Sequence, residues 1–369
     1  MSLKQRWMLP EGIDELMPEQ AARLELLRRK LIDRMQSWGY KLVFPPLVEY
    51  LDSLLTGTGK ALDIQTFKLT DQMSGRLMGI RADMTPQLAR IAAHNLRDHE
   101  GVLRLCYIGN VLHALPKGQG TSRNPIQLGA EIYGHSGPES DMEIVQLMIE
   151  MLAATDLDND LLLDIGHVGI YRGLANHAGL TDVQEQELFA ALQRKEILQI
   201  QTLLTEYQLS AESHTMLLAL AELHGGVEIL EQAKLVLSKA PEAVHQALVT
   251  LQAMANLMAQ RLPNVAINFD LAELRGYHYH TGVVFAAYQA GSAQAIALGG
   301  RYNDIGSDFG HAQPATGFSL DLKAIARQMP TEDEEQDTIT VEWSDDEAQQ
   351  QKIEQLRSQG QTIVYELPK

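Results

Sequence analysis

The chain has 369 residues, 45% of them hydrophobic, with 30 lysines and arginines against 48 aspartates and glutamates and a net charge of −18 at pH 7. Nucleic-acid binding draws much of its affinity from cations that neutralise phosphates, so an acidic chain without a Lys/Arg-rich block is a poor candidate for it. No run of 18 apolar residues and no signal-peptide segment are present, and the single cysteine, Cys106, excludes an intramolecular disulfide, so we expect a cytoplasmic protein without membrane contact.

The first half of the chain alternates helical and extended patterns. Thr85 suits a helix N-cap and Pro86 suits the first helical position, so a helix is predicted from there to about Leu96. Loop-forming residues at 116–125 separate two strands and predict a long antiparallel hairpin. The remaining pattern predicts helices at 18–38 and 141–154, and strands at 40–46, 67–70, 77–83, 103–112, 126–133 and 161–167.

The second half begins with a change in character, since residues 171–261 are helical in pattern and rich in Leu, Ala, Gln and Glu. This stretch is predicted to be an inserted helical subdomain within a core made of residues 1–170 and 262–328. An acidic linker at 329–337 leads to a small β-α-β unit at 338–369. The pattern between the insertion and the linker predicts strands at 265–270, 281–287 and 294–298, a turn at Gly299-Gly300 and a closing helix at 315–326.

Residues 126–133 carry the most informative pattern, because polar and apolar side chains alternate along a predicted strand. Side chains of a strand point to opposite faces in turn, so Gln127, Gly129, Glu131 and Tyr133 share one face. A carboxylate beside an amide suits a ligand that carries an amino group. The alternative is an ordinary half-buried strand with a solvated face.

Two further segments collect polar groups at strand spacing. Asp83 and Thr85 precede a predicted helix, and residues 275–282 combine Arg275 with several ring donors. Two carboxylates can hold an ammonium group and a guanidinium can hold a carboxylate through two hydrogen bonds, so these segments together would bind both ends of an amino acid. In the alternative interpretation, Asp83 is a helix cap and Arg275 pairs with a structural acid.

His278 and His280 form a His-x-His pair that would share one face of a strand. A third ligand at a convincing spacing is absent and the chain has one cysteine, so we predict no metal site and favour a pocket role or a structural hydrogen bond for the pair. The sequence also lacks a phosphate-binding loop, a nucleophile elbow and a dinucleotide fingerprint, and no cofactor is predicted.

Six segments, taken in their order along the chain, resemble the catalytic domain of the histidyl-tRNA synthetase family over about residues 8–326. The resemblance implies an α+β fold, in which a class II aminoacyl-tRNA synthetase-like antiparallel sheet is flanked by helices, and it implies a homodimer. The segments are residues 79–85, 104–109, 127–131, 275–282, 299–302 and 314–318.

The chain departs from the synthetases on the side that binds ATP in that family. The arginine and the glutamate of a Phe-Arg-x-Glu segment correspond here to His113 and Leu115. The last motif of the synthetases ends in an arginine, but Ala324 stands at that position and Asp321 replaces a glycine. Removing arginines that neutralise a triphosphate and adding an acid nearby should remove most of the affinity for ATP.

After Pro330 only 39 residues remain, whereas a full anticodon-binding domain would need about 90–100. A synthetase-like core with its amino-acid side kept, its ATP side altered and its tail shortened resembles the family of ATP phosphoribosyltransferase regulatory subunits. That resemblance implies a chain without catalytic residues, which activates the short-form catalytic subunit in a hetero-octamer, in the first step of L-histidine biosynthesis, and is needed for feedback inhibition by L-histidine. By position, the carried-over pocket candidates are Asp83, Thr85, Gln127, Glu131, Arg275 and Tyr279.

Two other functions stay open at the level of the sequence. One is a histidyl-tRNA synthetase or a related amino-acid-activating enzyme, in which Lys117, Arg123 or Lys323 would replace the missing arginines, although lysine does not reproduce a two-pronged arginine. The other is a general amino-acid sensor that serves a different partner. The missing arginines, the short tail and the charge of −18 oppose the enzyme.

Overall fold

A computed structural model describes residues 7–57, 59–116, 121–155, 161–277, 279–292, 294–329 and 338–368. The chain forms two units, Met1–Gln328 and Met329–Lys369. His278 of the predicted His-x-His pair and residues 330–337 of the predicted acidic linker lie outside the described residues.

Within the described residues, the strands form three sheets, of which a nine-stranded mixed sheet is the centre of the first unit. The strands are β1 (Lys41–Val43), β2 (Val48–Tyr50), β3 (Phe67–Thr70), β4 (Leu77–Ile80), β5 (Leu103–Asn110), β6 (Ile126–Tyr133), β7 (Leu161–His167), β8 (His224–Gly225), β9 (Ala266–Asp270), β10 (Val283–Gln289), β11 (Ala295–Arg301), β12 (Ala315–Asp321), β13 (Thr338–Glu342) and β14 (Thr362–Glu366). The order in the large sheet is β1-β5-β6-β12-β11-β10-β7-β9-β8, and β2-β4-β3 form a small antiparallel sheet.

Neighbouring strands of the large sheet run antiparallel from β5 to β7, whereas β1 pairs in parallel with β5 and β9 pairs in parallel with β7. Strands β5 and β6 are paired from Leu103 opposite Tyr133 to Asn110 opposite Ile126, as the predicted hairpin requires. The predicted α+β fold with a largely antiparallel sheet is therefore confirmed, with parallel pairs near both ends.

Two predicted elements near the end of the core are wrong. The predicted turn at Gly299-Gly300 lies inside β11, and residues 315–321 of the predicted closing helix form β12. A Cβ on Gly299 would overlap the ring of Phe285, so this glycine gives room to a neighbouring side chain. For residues 315–321, pairing with β6 on one edge and β11 on the other outweighs the helical preference of Ala and Leu, and the helix starts only at Leu322.

The helices of the first unit pack around the large sheet, and one of them begins differently from the prediction. Met84 is the N-cap and Thr85 is the first helical residue, which leaves the Thr85 hydroxyl for other contacts. Of the helices in the described ranges, none is long and apolar enough to cross a bilayer. They are α1 (Pro18–Ser37), α2 (Leu51–Leu55), α3 (Gly59–Gln65), α4 (Thr85–Arg90, continued by a π-helical turn at Ile91–Asn95), α5 (Pro138–Ala153), α6 (Val168–Ala178), α7 (Asp182–Gln193), α8 (Ile197–Glu206), α9 (Ala211–Ala219), α10 (Glu228–Val236), α11 (Glu242–Arg261), a 3₁₀ turn at Ile305–Phe309, α12 (Leu322–Gln328) and α13 (Glu347–Ser358).

Near β5 and β6, helices pack on both faces of the large sheet. Arg301 of β11 donates a hydrogen bond to Asp141 of α5 at 3.0 Å, so α5 covers one face, called here the back face. The opposite, front face carries Gln127 and Glu131. Every residue of β6 from Leu128 onward is buried, so the prediction of a half-buried strand is wrong, because β6 lies between two strands and is packed on both faces.

Helices α6 to α11 occupy residues 168–261 and belong to the first unit, so their status as a separate inserted subdomain at 171–261 stays a prediction. Strand β8, within this region, pairs with β9 of the large sheet. In the second unit, β13 and β14 are parallel and joined by α13, and the buried side chains of Ile353 and Ile363 form its small core.

Candidate functional site

Asp83 and Thr85 lie at the start of α4, next to strand β6. The Gln127 side chain joins the two elements, since its Nε2 donates a hydrogen bond to Asp83 Oδ1 at 2.8 Å and its Oε1 accepts one from the N–H of Met84 at 2.9 Å. The N–H of Thr85 donates to the same Asp83 oxygen at 3.0 Å. Asp83 therefore makes a capping contact to the helix and also contacts Gln127 of the strand.

Glu131 is 1% exposed and lies at the centre of a group of hydroxyls. Its Oε1 accepts hydrogen bonds from Thr85 Oγ1 at 3.2 Å and from the Tyr107 hydroxyl at 3.3 Å. Its Oε2 accepts one from the Tyr302 hydroxyl at 2.6 Å. Burial raises the pKa of Glu131 to about 8, although these hydroxyls act in the opposite direction. A cation beside this carboxyl group would favour its charged form. We call Asp83, Thr85, Gln127 and Glu131 with their hydroxyl partners the carboxylate network.

Two glycines form the floor beside Glu131. Gly317 of β12 is paired with Glu131 on one side and with Gly300 of β11 on the other. A Cβ on Gly317 would overlap the Glu131 carboxylate, and a Cβ on Gly300 would lie 2.8 Å from His280 Nε2. Glu131 and His280 can therefore extend above neighbouring strands because those strands carry no side chain there.

A turn at residues 275–280 brings Tyr279 and His280 to the front face, where their ring centroids are 4.1 Å apart. Burial, together with the negative charges of Asp83 and Glu131, raises the pKa of Tyr279, whose side chain is still partly exposed. Burial lowers the pKa of His280 to about 4, so its ring is neutral at pH 7. With Nδ1 assigned as the donor to a backbone carbonyl oxygen of the turn at 3.1 Å, Nε2 is a hydrogen-bond acceptor above the glycine floor.

Arg275 contacts a different set of residues. Its guanidinium pairs with the buried Glu273 at 2.8 Å and lies over the ring of Tyr288, 5.0 Å from the ring centroid. The alternative interpretation of Arg275, as the partner of a structural acid, describes this geometry. For Arg275 to hold a ligand's carboxylate, it would have to leave Glu273.

A cleft of about 460 Å³ opens beside the carboxylate network, and Gln127 lines it. Its wall contains three of the four positions at which the sequence departs from the synthetases, namely His113, Asp321 and Ala324. Asp321 Oδ1 accepts a hydrogen bond from the N–H of Lys323 at 3.0 Å, so this carboxylate caps α12.

The cations around this cleft are already paired. Among the lining residues that the structure describes, Arg327 is the sole lysine or arginine, and its guanidinium pairs with Asp14. Lys323, which is buried, also pairs with Asp14, at 2.9 Å. Arg123 donates hydrogen bonds to the backbone carbonyl oxygens of His113 and Glu11. Of the three alternative cations, Arg123 and Lys323 are thus engaged in internal contacts, and Lys117 lies outside the described residues.

In the part of the chain that the structure describes, no group of three His, Cys, Asp or Glu side chains is arranged to hold a metal ion. His280 serves the turn through its hydrogen bond to a backbone carbonyl oxygen, which is one of the two roles predicted for it.

The sequence did not identify Tyr107 as a functional residue, because it lies in an apolar run typical of a core strand. In the β5–β6 pairing, Tyr107 is opposite Gly129 and therefore shares the front face with Glu131. A Cβ on Gly129 would overlap the Tyr107 hydroxyl, so the glycine makes room for it. The available signal was the glycine in the middle of a strand. Tyr302 lay in a segment that supported the resemblance but was not selected as a pocket residue.

The fold and the site together define a histidyl-tRNA synthetase-like protein of class II. A family model described as Histidyl-tRNA synthetase matches residues 12–325. A histidyl-tRNA synthetase from Nostoc sp. PCC 7120 has the same fold, with a TM-score of 0.81 at 19% identity over 98% of this chain and 86% of that one. A Bacillus halodurans structure described as an ATP phosphoribosyltransferase regulatory subunit/histidyl-tRNA synthetase gives a TM-score of 0.87 at 26% identity, over 99% of this chain and 94% of that one.

Sequence relatives define the group more narrowly. The ATP phosphoribosyltransferase regulatory subunit of Alkalilimnicola ehrlichii is 53% identical over 366 residues, covering 98% of this chain and 90% of that protein. The protein of the same name from Pseudomonas aeruginosa PAO1 is 52% identical over 370 residues, covering 100% of this chain and 92% of that protein. A second family model, described as ATP phosphoribosyltransferase subunit HisZ C-terminal domain, matches residues 336–369. The chain belongs to the family of ATP phosphoribosyltransferase regulatory subunits.

Proposed function

We propose that the chain has no catalytic activity of its own and that it binds and activates a short-form catalytic subunit of ATP phosphoribosyltransferase in the first step of L-histidine biosynthesis. In the same proposal, it makes that enzyme sensitive to inhibition by L-histidine, and it works in the cytoplasm as a homodimer within a hetero-octamer. Family membership supports the choice of partner, since relatives that carry the regulatory-subunit name align over almost the whole chain.

The main structural support for the proposal is that the carboxylate network presents acidic groups, whereas the adjoining cleft presents no unpaired lysine or arginine among its described lining residues. The network offers two carboxyl groups, Asp83 and Glu131, next to a partly exposed aromatic ring. The cleft offers Asp321 but, among its described lining residues, no lysine or arginine other than Arg327, which is paired with Asp14. Transfer to or from a nucleoside triphosphate needs cations that stabilise charge on the phosphates. An amino-acid ligand is therefore better supported than an adenylating enzyme.

The ligand in this proposal is L-histidine, with its ammonium group beside Asp83 and Glu131. Asp83 accepts its described hydrogen bonds through Oδ1, and Glu131 Oε2 accepts one from Tyr302, so Asp83 Oδ2 and the second lone pair of Glu131 Oε2 can accept from the ammonium group. A charge-assisted hydrogen bond of this kind is about twice as strong as a neutral one. Thr85, Gln127 and Tyr279 would complete the pocket, and Arg275 would hold the ligand's carboxylate after leaving Glu273. The family resemblance motivates the choice of histidine, and the paired acids motivate the choice of an amine.

The proposal is tested by reconstitution with the short catalytic subunit from the same organism. Product formation from ATP and phosphoribosyl pyrophosphate is measured for each chain alone and for the mixture, with and without L-histidine. We expect no product from this chain alone, faster turnover in the mixture than with the catalytic subunit alone, and inhibition of the mixture by L-histidine. Turnover by this chain alone, or no effect of mixing, would contradict the proposal.

A second assay separates the proposal from the synthetase alternative. Histidine-dependent exchange of pyrophosphate into ATP reports formation of an adenylate. We expect no exchange above the rate without histidine, because the cations near the cleft are paired within the protein. Exchange that depends on L-histidine would favour the amino-acid-activating enzyme.

A further inference from the structure

The turn at residues 275–280 has two sides with different neighbours. Tyr279 and His280 lie on the side of the carboxylate network, whereas Tyr277 points the other way and is 5% exposed. The turn is tightly closed, because the N–H groups of Tyr279 and His280 both donate to the carbonyl oxygen of Gly276, at 2.9 and 2.8 Å. A change in position on one side of so short a turn therefore moves the other side.

The outer side of the turn is held by helices α6 and α7. The Tyr277 ring packs against Tyr171 of α6 and Phe189 of α7, with centroid distances of 5.4 Å in both cases. The Tyr277 hydroxyl donates a hydrogen bond to the Glu185 carboxylate of α7. One side chain of the turn thus contacts two helices of the 168–193 region.

Arg172 of α6 adds a second attachment. Its Nη2 donates to the carbonyl oxygens of Tyr277 at 2.8 Å and of His280 at 3.1 Å. Its guanidinium carbon lies 4.9 Å from the centroid of the Tyr277 ring. A single guanidinium therefore ties both ends of residues 277–280 to α6, and the turn and the helices are mechanically joined.

We propose that Tyr277 is a positioning residue that couples the amino-acid pocket to helices α6 and α7, so that occupancy of the pocket changes the Tyr277–Glu185 contact and with it the position of α7. The proposal rests on the proposed function, because it assigns a route by which L-histidine acts on the partner. Coupling requires that the ligand favour one of two arrangements of an element that both sites contact, and the 275–280 turn is such an element.

The Tyr277→Phe variant tests the route, because it removes the hydroxyl that reaches Glu185 and keeps the ring. Tyr207→Phe is the matched control, since the Tyr207 hydroxyl donates to Glu187 of the same helix at 3.0 Å without touching the turn. Two quantities are measured with the full chain. They are the dissociation constant for L-histidine by calorimetry and the L-histidine concentration that halves the activity of the reconstituted enzyme.

We expect Tyr277→Phe to bind L-histidine within about threefold of wild type and to change the half-inhibiting concentration at least fivefold, whereas Tyr207→Phe changes neither beyond twofold. A half-inhibiting concentration that follows the dissociation constant in both variants would overturn the coupling role. If wild type neither binds L-histidine nor transmits inhibition, the proposed function fails instead.

Hydrogen–deuterium exchange of the ligand-free protein tests the contact between the 275–280 turn and α7 directly, whether or not L-histidine binds. Tyr277→Phe should speed exchange of the Tyr279 and His280 amides and also of the first turns of α7, because the variant removes the hydrogen bond between the Tyr277 hydroxyl and Glu185 and keeps the ring contacts. Tyr207→Phe should leave the turn unchanged. Faster exchange confined to the turn, or confined to α7, would overturn the proposal.

Discussion

The carboxylate network and the cleft lie side by side on the front face of one sheet, yet they use their polar groups in opposite ways. In the network, Glu131 is buried among hydroxyls and has no basic partner among its hydrogen-bonding residues. In the cleft, Asp321 caps a helix, and Arg327 forms an ion pair with Asp14. Gln127 belongs to both regions, through its bond to Asp83 and its place in the cleft wall.

The difference shows how to separate structural from functional charges. A charged group that is paired with an opposite charge within the protein stabilises the fold and is not free to bind a charged ligand. A buried acid whose pKa is displaced by burial, and which lacks a counter-charge, is a candidate for ligand binding. By this criterion the network is the better candidate for a ligand site, whereas the cations in and beside the cleft are paired within the protein.

The largest expected effect comes from filling the floor of the network. Gly317→Ala would place a methyl group on the Glu131 carboxylate, which is buried and surrounded by hydroxyls. We expect the free energy of unfolding to fall by about 3 kcal/mol. We also expect the variant to lose its affinity for L-histidine. Urea unfolding measures the first and calorimetry the second. Ser319→Ala, on the same face of β12, is the control and should change stability by less than about 0.5 kcal/mol. Equal stability of the two variants would show that Glu131 is not held as described.

Neutralising the central acid should have the next largest effect. Glu131→Gln keeps the shape but removes a charge-assisted hydrogen bond to an ammonium group, so we expect L-histidine affinity to fall roughly 30- to 100-fold by calorimetry, or about 2–3 kcal/mol. Glu143→Gln is the matched control, because Glu143 pairs with Arg104 at 2.7 Å away from the network. If both variants bind like wild type, the network is not the ligand site.

The same carboxyl group predicts a pH dependence of stability. Burial raises the pKa of Glu131 from 4.5 to about 8, so the folded protein holds a proton that the unfolded chain releases between these pH values. Raising the pH through this window therefore removes stability, by at most about 1.4 kcal/mol per pH unit. Urea unfolding from pH 5 to pH 8 should show wild type losing stability relative to Glu131→Gln, which cannot ionise there. Parallel profiles would mean that Glu131 is charged throughout.

The smallest expected effect tests the cleft. The double variant His113→Arg/Ala324→Arg supplies two guanidinium groups to the cleft wall and should bind ATP about tenfold more tightly than wild type. Ser358→Arg/Gln359→Arg adds two arginines on the second unit and controls for net charge. The measurement is calorimetric titration with ATP. Wild type that already binds ATP as tightly as the cleft variant would show that the paired cations are released for phosphate.

The local sequence pattern was sufficient to predict which residues share a strand face, but not how deeply the strand is buried. The alternation at residues 126–133 correctly placed Gln127 and Glu131 on one face, because parity along a strand does not depend on its neighbours. The same pattern led to the wrong conclusion about burial, since the covering of both faces comes from helices elsewhere in the chain. Residues 315–321 were assigned to a helix because their composition allows either state, and pairing with two distant strands decided between them.

The sequence by itself determined the family, the strand parity of Gln127 and Glu131 and the absence of arginine at positions 113 and 324, because residue identity and period two are local properties. Only the tertiary structure decided that Gly300 and Gly317 form a floor, that Tyr107 and Tyr302 reach Glu131, and that Arg275 pairs with Glu273. The two tyrosine contacts join residues 24 and 171 positions apart, and their geometry is set by strand register and by the sharing of hydrogen bonds among buried groups. For Arg275 the partner is two residues away, and the burial of Glu273 by the surrounding fold selects that pairing.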